Sequence, residues 1–298
     1  MTIAVTALPD VVRRPRRVAV GTFDGVHLAH REVIRGNDTV LTFDPHPAMV
    51  VHPESAPRLL TSLRRKAEII EGLGVQELVV IPFDEEFAAR SAQEFLDDVL
   101  VGALGATHVT VGENFRFGHC ARGNPEMLAA DPRFETRIVR LLEAEDEIVS
   151  SSHIRGLVAS GAVDAAARLL GAPFVLTGEV VHGDERGREL GFPTANLVPD
   201  PRFVTPAHGI YACVANKEIP AAVNIGVRPT FVTGRGELIE AYLIDWTGDL
   251  YGTELELAFL RRLRGEKRFD SVDALVEQMG RDVEETRRIA AAERRAAA

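Results

Sequence analysis

Two histidines, His27 and His30, stand three residues apart directly after the stretch GTFDG, and their spacing could serve phosphate chemistry. A short apolar run, VAV, precedes this stretch, so we predict a turn from a strand into a helix that starts near His27. The free N–H groups at a helix start attract anions, and residues three apart share a helix face. Imidazoles that donate hydrogen bonds stabilise a phosphate whose charge grows during group transfer. The stretch therefore predicts a phosphate-binding turn.

Two other interpretations of these histidines are open at this point. They could lie side by side on a partly exposed helix face, or they could bind a metal together with His46 and His52. Asp44 and His46, in TFDPHP, could equally belong to turn chemistry at the end of a strand. We therefore assign no role to these two.

A glutamate, Glu240, interrupts the apolar run ELIEAYLID, which predicts a strand. Apolar residues occupy both alternating faces of this run, so we expect its carboxylate in a largely buried strand. Burial of an unpaired carboxylate is costly, which favours a catalytic or metal-linked role over a salt-bridged structural glutamate. Upstream, a glycine-rich segment with Gly183 and Gly187 would let backbone approach a phosphate closely, although glycine-rich hairpins are common.

These residues must be positioned by two regions of the chain that differ in their pattern of predicted strands and helices. Up to about residue 172, apolar runs such as RRVAVG, DTVLTF and ELVVIPF alternate with helical patterns, which predicts a parallel sheet wrapped by helices. Ligands of such sheets bind beyond the carboxyl ends of the strands. From residue 173, runs such as FVLTGEVVHG and GIYACVAN predict an antiparallel barrel or sandwich. A helix with Ser271 as its N-cap closes the chain, so we expect domains at 1–172 and 173–298.

The net charge and the number of cysteines limit the kinds of ligand and the cellular compartment that we expect for this chain. The chain has 298 residues, a formal net charge of −10 and two cysteines, Cys120 and Cys213. The negative charge opposes binding to nucleic acid or anionic lipid, so we expect small-molecule substrates and neither of those partners. The arginines of the N-terminal segment follow its apolar residues, which is not the order of a secretory signal, and few cysteines fit a reducing compartment. We therefore expect a cytoplasmic protein.

Several motifs together resemble one bacterial family, the bifunctional riboflavin kinase and FAD synthetases. GTFDGVHLAH, TFDPHP, GENFRFG and VSSSHIR are similar to its adenylyltransferase half. GEVVHGDERGRELGFPTANL, NIGVRPTF, IEAYLIDWTGDLYG and LRGEKRFDS are similar to its kinase half. The resemblance runs in the family's order from about Val18 to Arg281. It implies a Rossmann-like nucleotidyltransferase domain, then a small antiparallel β-barrel riboflavin kinase domain with a C-terminal helix, and as substrates ATP, riboflavin and FMN.

The resemblance also implies roles for individual residues. His27 and His30 would stabilise the ATP phosphates while the FMN phosphate attacks the α-phosphorus and pyrophosphate leaves. Glu240 would be the general base that takes the proton of the riboflavin 5′-hydroxyl as this oxygen attacks the γ-phosphorus. Thr194 and Asn196, in GFPTAN, would hold Mg²⁺ with the ATP phosphates. The other ligand-binding residues that it implies are Gly21, Phe23, Asn114, Ser151, Ser152, Arg155, Gly183, Gly187 and Arg228.

Some of these residues also have ordinary structural interpretations. Ser151 and Ser152 could simply cap a helix, and both functions can coexist. For Asn114, in GENFRFG, the resemblance alone implies a role, which is contact with the flavin. Arg228 and Arg268 could line the kinase site or merely solubilise the surface.

The sequence departs from the family's pattern at two places. Ala29 replaces the glycine of the usual His-x-Gly-His, and its methyl group would take space near a nucleotide. Only ten residues, 31–40, separate His30 from the next strand, so we expect a shortened first helix.

Three alternatives to a bifunctional enzyme stay open. The first is a kinase whose N-terminal half is a scaffold or flavin-binding module, and the second is a non-catalytic flavin sensor. The third is a transferase of the same histidine-motif superfamily that acts on another phosphorylated molecule.

Overall fold

A six-stranded parallel sheet forms the centre of the first half of the chain, as the alternating pattern predicts. The computed structural model describes residues 2–144, 147–182, 191–227 and 237–297. The strands are arranged in the order β1-β4-β3-β2-β5-β6, and each neighbouring pair is parallel. Their bounds are β1 Ala4–Ala7, β2 Arg16–Val20, β3 Thr39–Asp44, β4 Glu77–Pro82, β5 Ala106–Gly112 and β6 Glu135–Val139.

The central strands are apolar along their whole length because both faces of this sheet are covered. On β2, Val18 and Val20 belong to one buried cluster, and Ala19 between them belongs to the other. The helices on these faces are α1 Leu28–Ile34, α2 Pro47–Val51, α3 Leu63–Gly72, α4 Glu85–Ala88, α5 Ala92–Glu94, the π-helix Phe95–Ala103 that continues α5, and α6 Pro125–Ala129. A short antiparallel hairpin follows, with β7 Glu143–Ala144 and β8 Glu147–Ile148.

The first crossover is short, as the ten-residue spacing predicts. The helix α1 has seven residues, and a turn through Gly36 (φ +79°) leads directly into β3. The helix begins after His27, which is its N-cap. This crossover therefore keeps the turn and both histidines at the carboxyl edge of the sheet.

A closed antiparallel barrel forms the second half. Its strands lie in the order β10-β13-β12-β11-β14-β9, and β9 pairs with β10 to close it. The bounds are β9 Phe174–Val181, β10 Thr194–Pro199, β11 Gly209–Ala215, β12 Ile219–Val227, β13 Glu237–Leu243 and β14 Glu254–Arg264. The final helix, α9 Val272–Ala297, packs on the barrel, and the hydroxyl of Ser271 accepts the N–H of Ala274 as the predicted N-cap.

By packing, the chain divides into one unit of residues 1–151 and a second of residues 152–298. Two helices lie just after this division, α7 Ser151–Ser160 and α8 Val163–Leu170, and α8 packs against β9 and β14 of the barrel. These helices fall within the first domain, 1–172, predicted from the sequence. The packing assigns nearly all of both to the second unit, while the functional boundary near residue 172 stays a prediction.

Candidate active sites

The turn between β2 and α1 has a backbone that few sequences tolerate. Phe23, Gly25 and Val26 all have left-handed φ angles, +49°, +86° and +42°. For Phe23 and the β-branched Val26 such angles cost about 1–3 kcal/mol each, so the surrounding contacts must hold the turn in place. Gly21 is required for a different reason, because a Cβ there would lie 3.0 Å from the ring of Phe23. The Phe23 ring therefore folds back over the start of its own turn.

The carboxylate of Asp24 is one of the groups that holds this turn. It accepts the backbone N–H groups of Leu60, at 2.9 Å, and Thr61, at 3.1 Å. Asp24 is buried, and its backbone carbonyl accepts a hydrogen bond from the Ser151 hydroxyl at 2.9 Å. The structure thus brings the predicted residue Ser151 to the turn. No role for Asp24 was predicted from the sequence, although a charged residue between Gly21 and Gly25 was a visible signal.

His27 and His30 lie in direct contact, as their spacing predicts. Their rings stack with centroids 3.5 Å apart, and Phe23 meets His30 edge to face at 5.3 Å. Nδ1 of His27 accepts the backbone N–H of His30 at 3.3 Å, so a neutral His27 carries its proton on Nε2.

A metal centre built on these histidines finds no support in the described part of the chain. No group of three or more His, Cys, Asp or Glu side chains placed to hold an ion occurs there. His46 instead caps α2, where its Nδ1 accepts the N–H of Ala48 at 3.2 Å. His52 ends the same helix.

Asn114 lies just beyond the carboxyl end of β5, the strand next to β2. The chain order of the sheet reverses between these two strands, and ligands of open parallel sheets bind at such a reversal. Asn114 is exposed there, and its Oδ1 would be 3.2 Å from a Cβ at Gly112. The position agrees with a ligand contact at the same edge as the histidine turn.

Ser152 and Arg155 belong to the second unit and lie on the first turn of α7. Nη1 of Arg155 donates to the Ser152 hydroxyl at 3.4 Å. Ser151 and Ser152 are the first residues of the helix, where a hydroxyl and free N–H groups are suited to bind an anion.

A row of polar side chains crosses three neighbouring strands of the barrel. Asn196 on β10 pairs in register with Glu240 on β13, which in turn pairs with Asn224 on β12. Nδ2 of Asn224 donates to Oε2 of Glu240 at 3.1 Å. Thr194 lies two residues before Asn196 on the same face of β10. The structure therefore brings the three predicted residues of the kinase site together and adds Asn224, which the sequence analysis missed.

The burial of Glu240 differs from the expectation of a largely buried strand. The inward face of β13 consists of Ile239, Ala241 and Leu243, which are all buried. Glu240 lies on the outer face and is half-buried. Its carboxylate is therefore reachable from outside the barrel, which a group that receives a proton from a substrate requires.

A pocket of about 380 Å³ adjoins this row at Thr194. Aromatic side chains form part of its wall, and the ring of Tyr251 stacks on His182 with centroids 3.8 Å apart. The lining residues include Val180, Pro193, Thr194, Leu243, Trp246 and Tyr251.

Three predicted ligand-binding residues, Gly183, Gly187 and Arg228, lie outside the described residues. Arg268 is exposed between β14 and α9.

Comparisons with known proteins identify both halves. Residues 11–153 match the sequence model of the FAD synthetase family, and residues 170–290 match that of the riboflavin kinase family. The bifunctional riboflavin kinase/FMN adenylyltransferase of Bacillus subtilis is 37% identical over 286 residues, which cover 90% of each chain. This chain belongs to the bifunctional riboflavin kinase/FMN adenylyltransferase family. The Escherichia coli K12 member is 36% identical over 89% of this chain and 90% of its own.

A crystal structure agrees over nearly the whole length. The structure described as a macrolide-efflux protein from Streptococcus pneumoniae is 31% identical, with a TM-score of 0.86 over 96% of this chain and 99% of that one. Within the described residues, no helix is both long and apolar enough to cross a membrane.

Membership of the family confirms the predicted pair of transferase domains. The matches give no support to the alternative of a kinase alone.

Proposed function

We propose that this chain phosphorylates riboflavin to FMN with one ATP and adenylylates FMN to FAD with a second, releasing pyrophosphate. The histidine turn of the first unit would serve adenylyl transfer, and the polar row on the barrel would serve phosphoryl transfer. The observation that supports this division is that each unit presents one cluster of the side chains its reaction needs, His27 with His30 and Glu240 with Asn224.

In adenylyl transfer, an oxygen of the FMN phosphate forms a bond to the α-phosphorus of ATP as the bond to the pyrophosphate oxygen breaks. Negative charge grows on the phosphate oxygens during this step, and donors aimed at them lower the barrier. We assign this role to the imidazoles of His27 and His30, and the hydrogen bond from the N–H of His30 to Nδ1 of His27 fixes how the His27 ring is turned. The stack with His30 fixes the plane of the ring. Asn114, Gly21, Phe23 and Ser151 are the proposed ligand contacts of the first unit, while Ser152 and Arg155 on α7 stay predictions of the resemblance.

In phosphoryl transfer, the riboflavin 5′-hydroxyl attacks the γ-phosphorus and its proton must leave. Glu240 is the proposed acceptor of that proton. Asn224 donates to Oε2 of Glu240, which fixes the carboxylate and leaves Oε1 to receive the proton. The proton then resides on Glu240 while ADP departs.

Thr194 and Asn196 fit a magnesium ion that keeps waters and phosphate oxygens as its other ligands. Asn196 is buried, and its Oδ1 has no hydrogen-bond partner among the described residues. A buried amide oxygen without a donor is costly, and a cation would satisfy it. When bound, the ion would neutralise charge on the ATP phosphates beside the polar row.

The pocket at Thr194 is the proposed position of the nucleoside part of the ATP used by the kinase. Its walls combine aliphatic and aromatic side chains, such as Leu243 and Trp246, which suit a flat base. Its contact with Thr194 would place the phosphates toward the polar row. We further propose that the chain acts in the cytoplasm, because Cys120 and Cys213 are both free thiols.

The test is a time course with riboflavin, ATP and Mg²⁺, in which the flavins are separated by chromatography. We expect FMN first and FAD afterwards. FMN that accumulates without FAD would contradict the adenylyl transfer assignment, and the absence of both products would contradict the whole proposal. The variant His30→Gln should keep the rate of FMN formation and lose most FAD formation.

A further inference from the structure

Lys66 is a buried cation beneath the histidine turn. It extends from α3, and only 7% of its surface is exposed. Its Nζ donates to the backbone carbonyl of Thr22, at 2.7 Å, and to the hydroxyl of Thr42, at 3.3 Å. The same Thr22 carbonyl also accepts the Thr42 hydroxyl at 3.1 Å. The ammonium group therefore joins α3, β3 and the turn at one point.

Burial of the Lys66 ammonium costs free energy, so the presence of a lysine at this position needs an explanation. Both hydrogen-bond acceptors of Nζ are neutral oxygens, so the contacts replace the hydration of an ammonium only in part. Burial lowers the pKa of Lys66 from 10.5 to about 8, against the opposing effect of Asp24 and Asp44, the two carboxylates that face it. A methionine of similar length would fill the space without that cost.

The contacts of Lys66 lead directly to the histidines. Thr22 immediately precedes Phe23, whose left-handed backbone places its ring over Gly21 and against His30. His30 in turn stacks on His27. A shift of the Thr22 carbonyl would move the Phe23 ring, and with it the pair of imidazoles.

We propose that Lys66 is a positioning residue for adenylyl transfer, which holds the Thr22 carbonyl so that His27 and His30 keep their geometry toward the ATP phosphates. This inference rests on the proposed role of the two histidines. Lys66 does not itself touch the substrate in this proposal. Its charge is retained because a cation binds the carbonyl more strongly than a neutral donor would.

The test uses the full chain with Lys66→Met, and Arg65→Met as the matched control. Arg65 is the neighbouring cation on α3 and pairs with Glu68 at 2.8 Å. With folded enzyme in excess over FMN and at a concentration that saturates FMN binding, and with ATP saturating, the rate constant of single-turnover FAD formation does not depend on the fraction of folded enzyme. We expect Lys66→Met to lower this rate constant about 10- to 100-fold, the effect of a small misplacement of catalytic groups. Arg65→Met should change it less than about twofold.

Amide hydrogen exchange of peptides from β2 to β5 in the same samples reports whether the first unit remains folded. The kinase activity belongs to the second unit, and we expect it to stay within about twofold. An unchanged rate constant in Lys66→Met, or an equal loss of kinase activity, would overturn the inference. Thr42→Val is a second, nearly isosteric variant that removes one partner of Nζ, and we expect a loss of about 3- to 10-fold. Should Lys66→Met not fold, an unchanged rate in Thr42→Val would overturn the proposal.

His30→Gln separates this inference from the proposed function. If His30→Gln keeps the full rate of FAD formation, the assignment of the site itself is wrong. If His30→Gln loses that rate and Lys66→Met keeps it, the site stands and the positioning role of Lys66 is wrong.

Discussion

Asn224 donates its side-chain amide to the carboxylate of Glu240, from Nδ2 to Oε2 at 3.1 Å, across the paired strands β12 and β13. We predict that Asn224→Leu lowers kcat of riboflavin phosphorylation about 10- to 100-fold, because a hydrogen bond to a charged group contributes about 1.5–3 kcal/mol. Steady-state FMN formation measures this effect. The conversion of added FMN to FAD should be unchanged, and an equal loss there would show that the variant disturbs the whole chain.

Removal of the proposed base has a larger predicted effect. Glu240→Gln keeps the size of the side chain and its contact with Asn224 but cannot accept the substrate proton. We expect FMN formation to fall about 10²- to 10⁴-fold, the usual contribution of a general base. Chromatography of the flavins would show it. FAD formation from added FMN should continue, and a parallel loss of both activities would contradict the division of the two reactions between the units.

The parallel sheet was predictable because its strands are short apolar runs with helical patterns between them. The barrel was predictable only as a class, since the runs did not distinguish a barrel from a sandwich. The first strand, Ala4–Ala7, was missed because it is a short edge strand whose residues are exposed or half-buried. The cross-strand partners of Glu240 could not be predicted from the sequence for another reason. Which residue of β12 faces it depends on strand register, which one strand's sequence does not contain.

The burial of Lys66 was only partly predictable from the sequence. Within LRRKAEIIEG the buried residues are Lys66, Ala67 and Ile70, so the lysine falls on the apolar stripe of α3. A cation in that stripe is a visible signal, but three successive basic residues look like a solvated face. The sequence could not show that a strained turn lies above it, because the turn comes from a segment about 40 residues earlier.

The departure from the family's glycine gives a prediction of its own. Ala29 is half-buried on the first turn of α1, between the two stacked histidines in sequence. We expect Ala29→Gly to lower KM for ATP in FMN adenylylation, because it removes a methyl group near the phosphate site. Glycine within a helix costs about 1 kcal/mol relative to alanine. A fall in thermal stability without any change in KM would show that the methyl group does not face the nucleotide.

The buried ammonium makes the stability of the first unit depend on pH. The pKa of Lys66 is about 8 when folded and 10.5 ordinarily, so between these values the unfolded chain binds more protons. The free energy of unfolding therefore rises with pH in that window, by about 2 kcal/mol from pH 7.5 to pH 10. In Lys66→Met this contribution should vanish.

The only tryptophan, Trp246, lies in the second unit, so its fluorescence does not report on the first. Amide hydrogen exchange of peptides from β2 to β5, corrected for the intrinsic pH dependence of exchange, would measure the difference between the two proteins. An identical pH dependence in wild type and Lys66→Met would contradict the prediction.

A second buried cation, Arg16, stabilises the sheet at the end opposite to the site. Its guanidinium is 2% exposed, pairs with Glu77 at 3.0 Å and donates to the carbonyl of Leu104 at 2.8 Å. Arg16→Met would leave the Leu104 carbonyl without this donor and Glu77 with the exposed Arg14 as its remaining partner, so we expect a cost of about 3 kcal/mol, the low end for breaking a buried pair. We expect that loss in the free energy of unfolding of the first unit, measured by the same hydrogen exchange.

Arg14 provides the matched control, since it pairs with the same carboxylate at 2.9 Å but is 41% exposed. Arg14→Met should cost less than about 1 kcal/mol, because water screens an exposed pair. Riboflavin phosphorylation should persist in both variants, as the barrel does not depend on either arginine. Equal destabilisation by the two substitutions would mean that burial of the guanidinium does not determine its contribution, and the account of this network would be wrong.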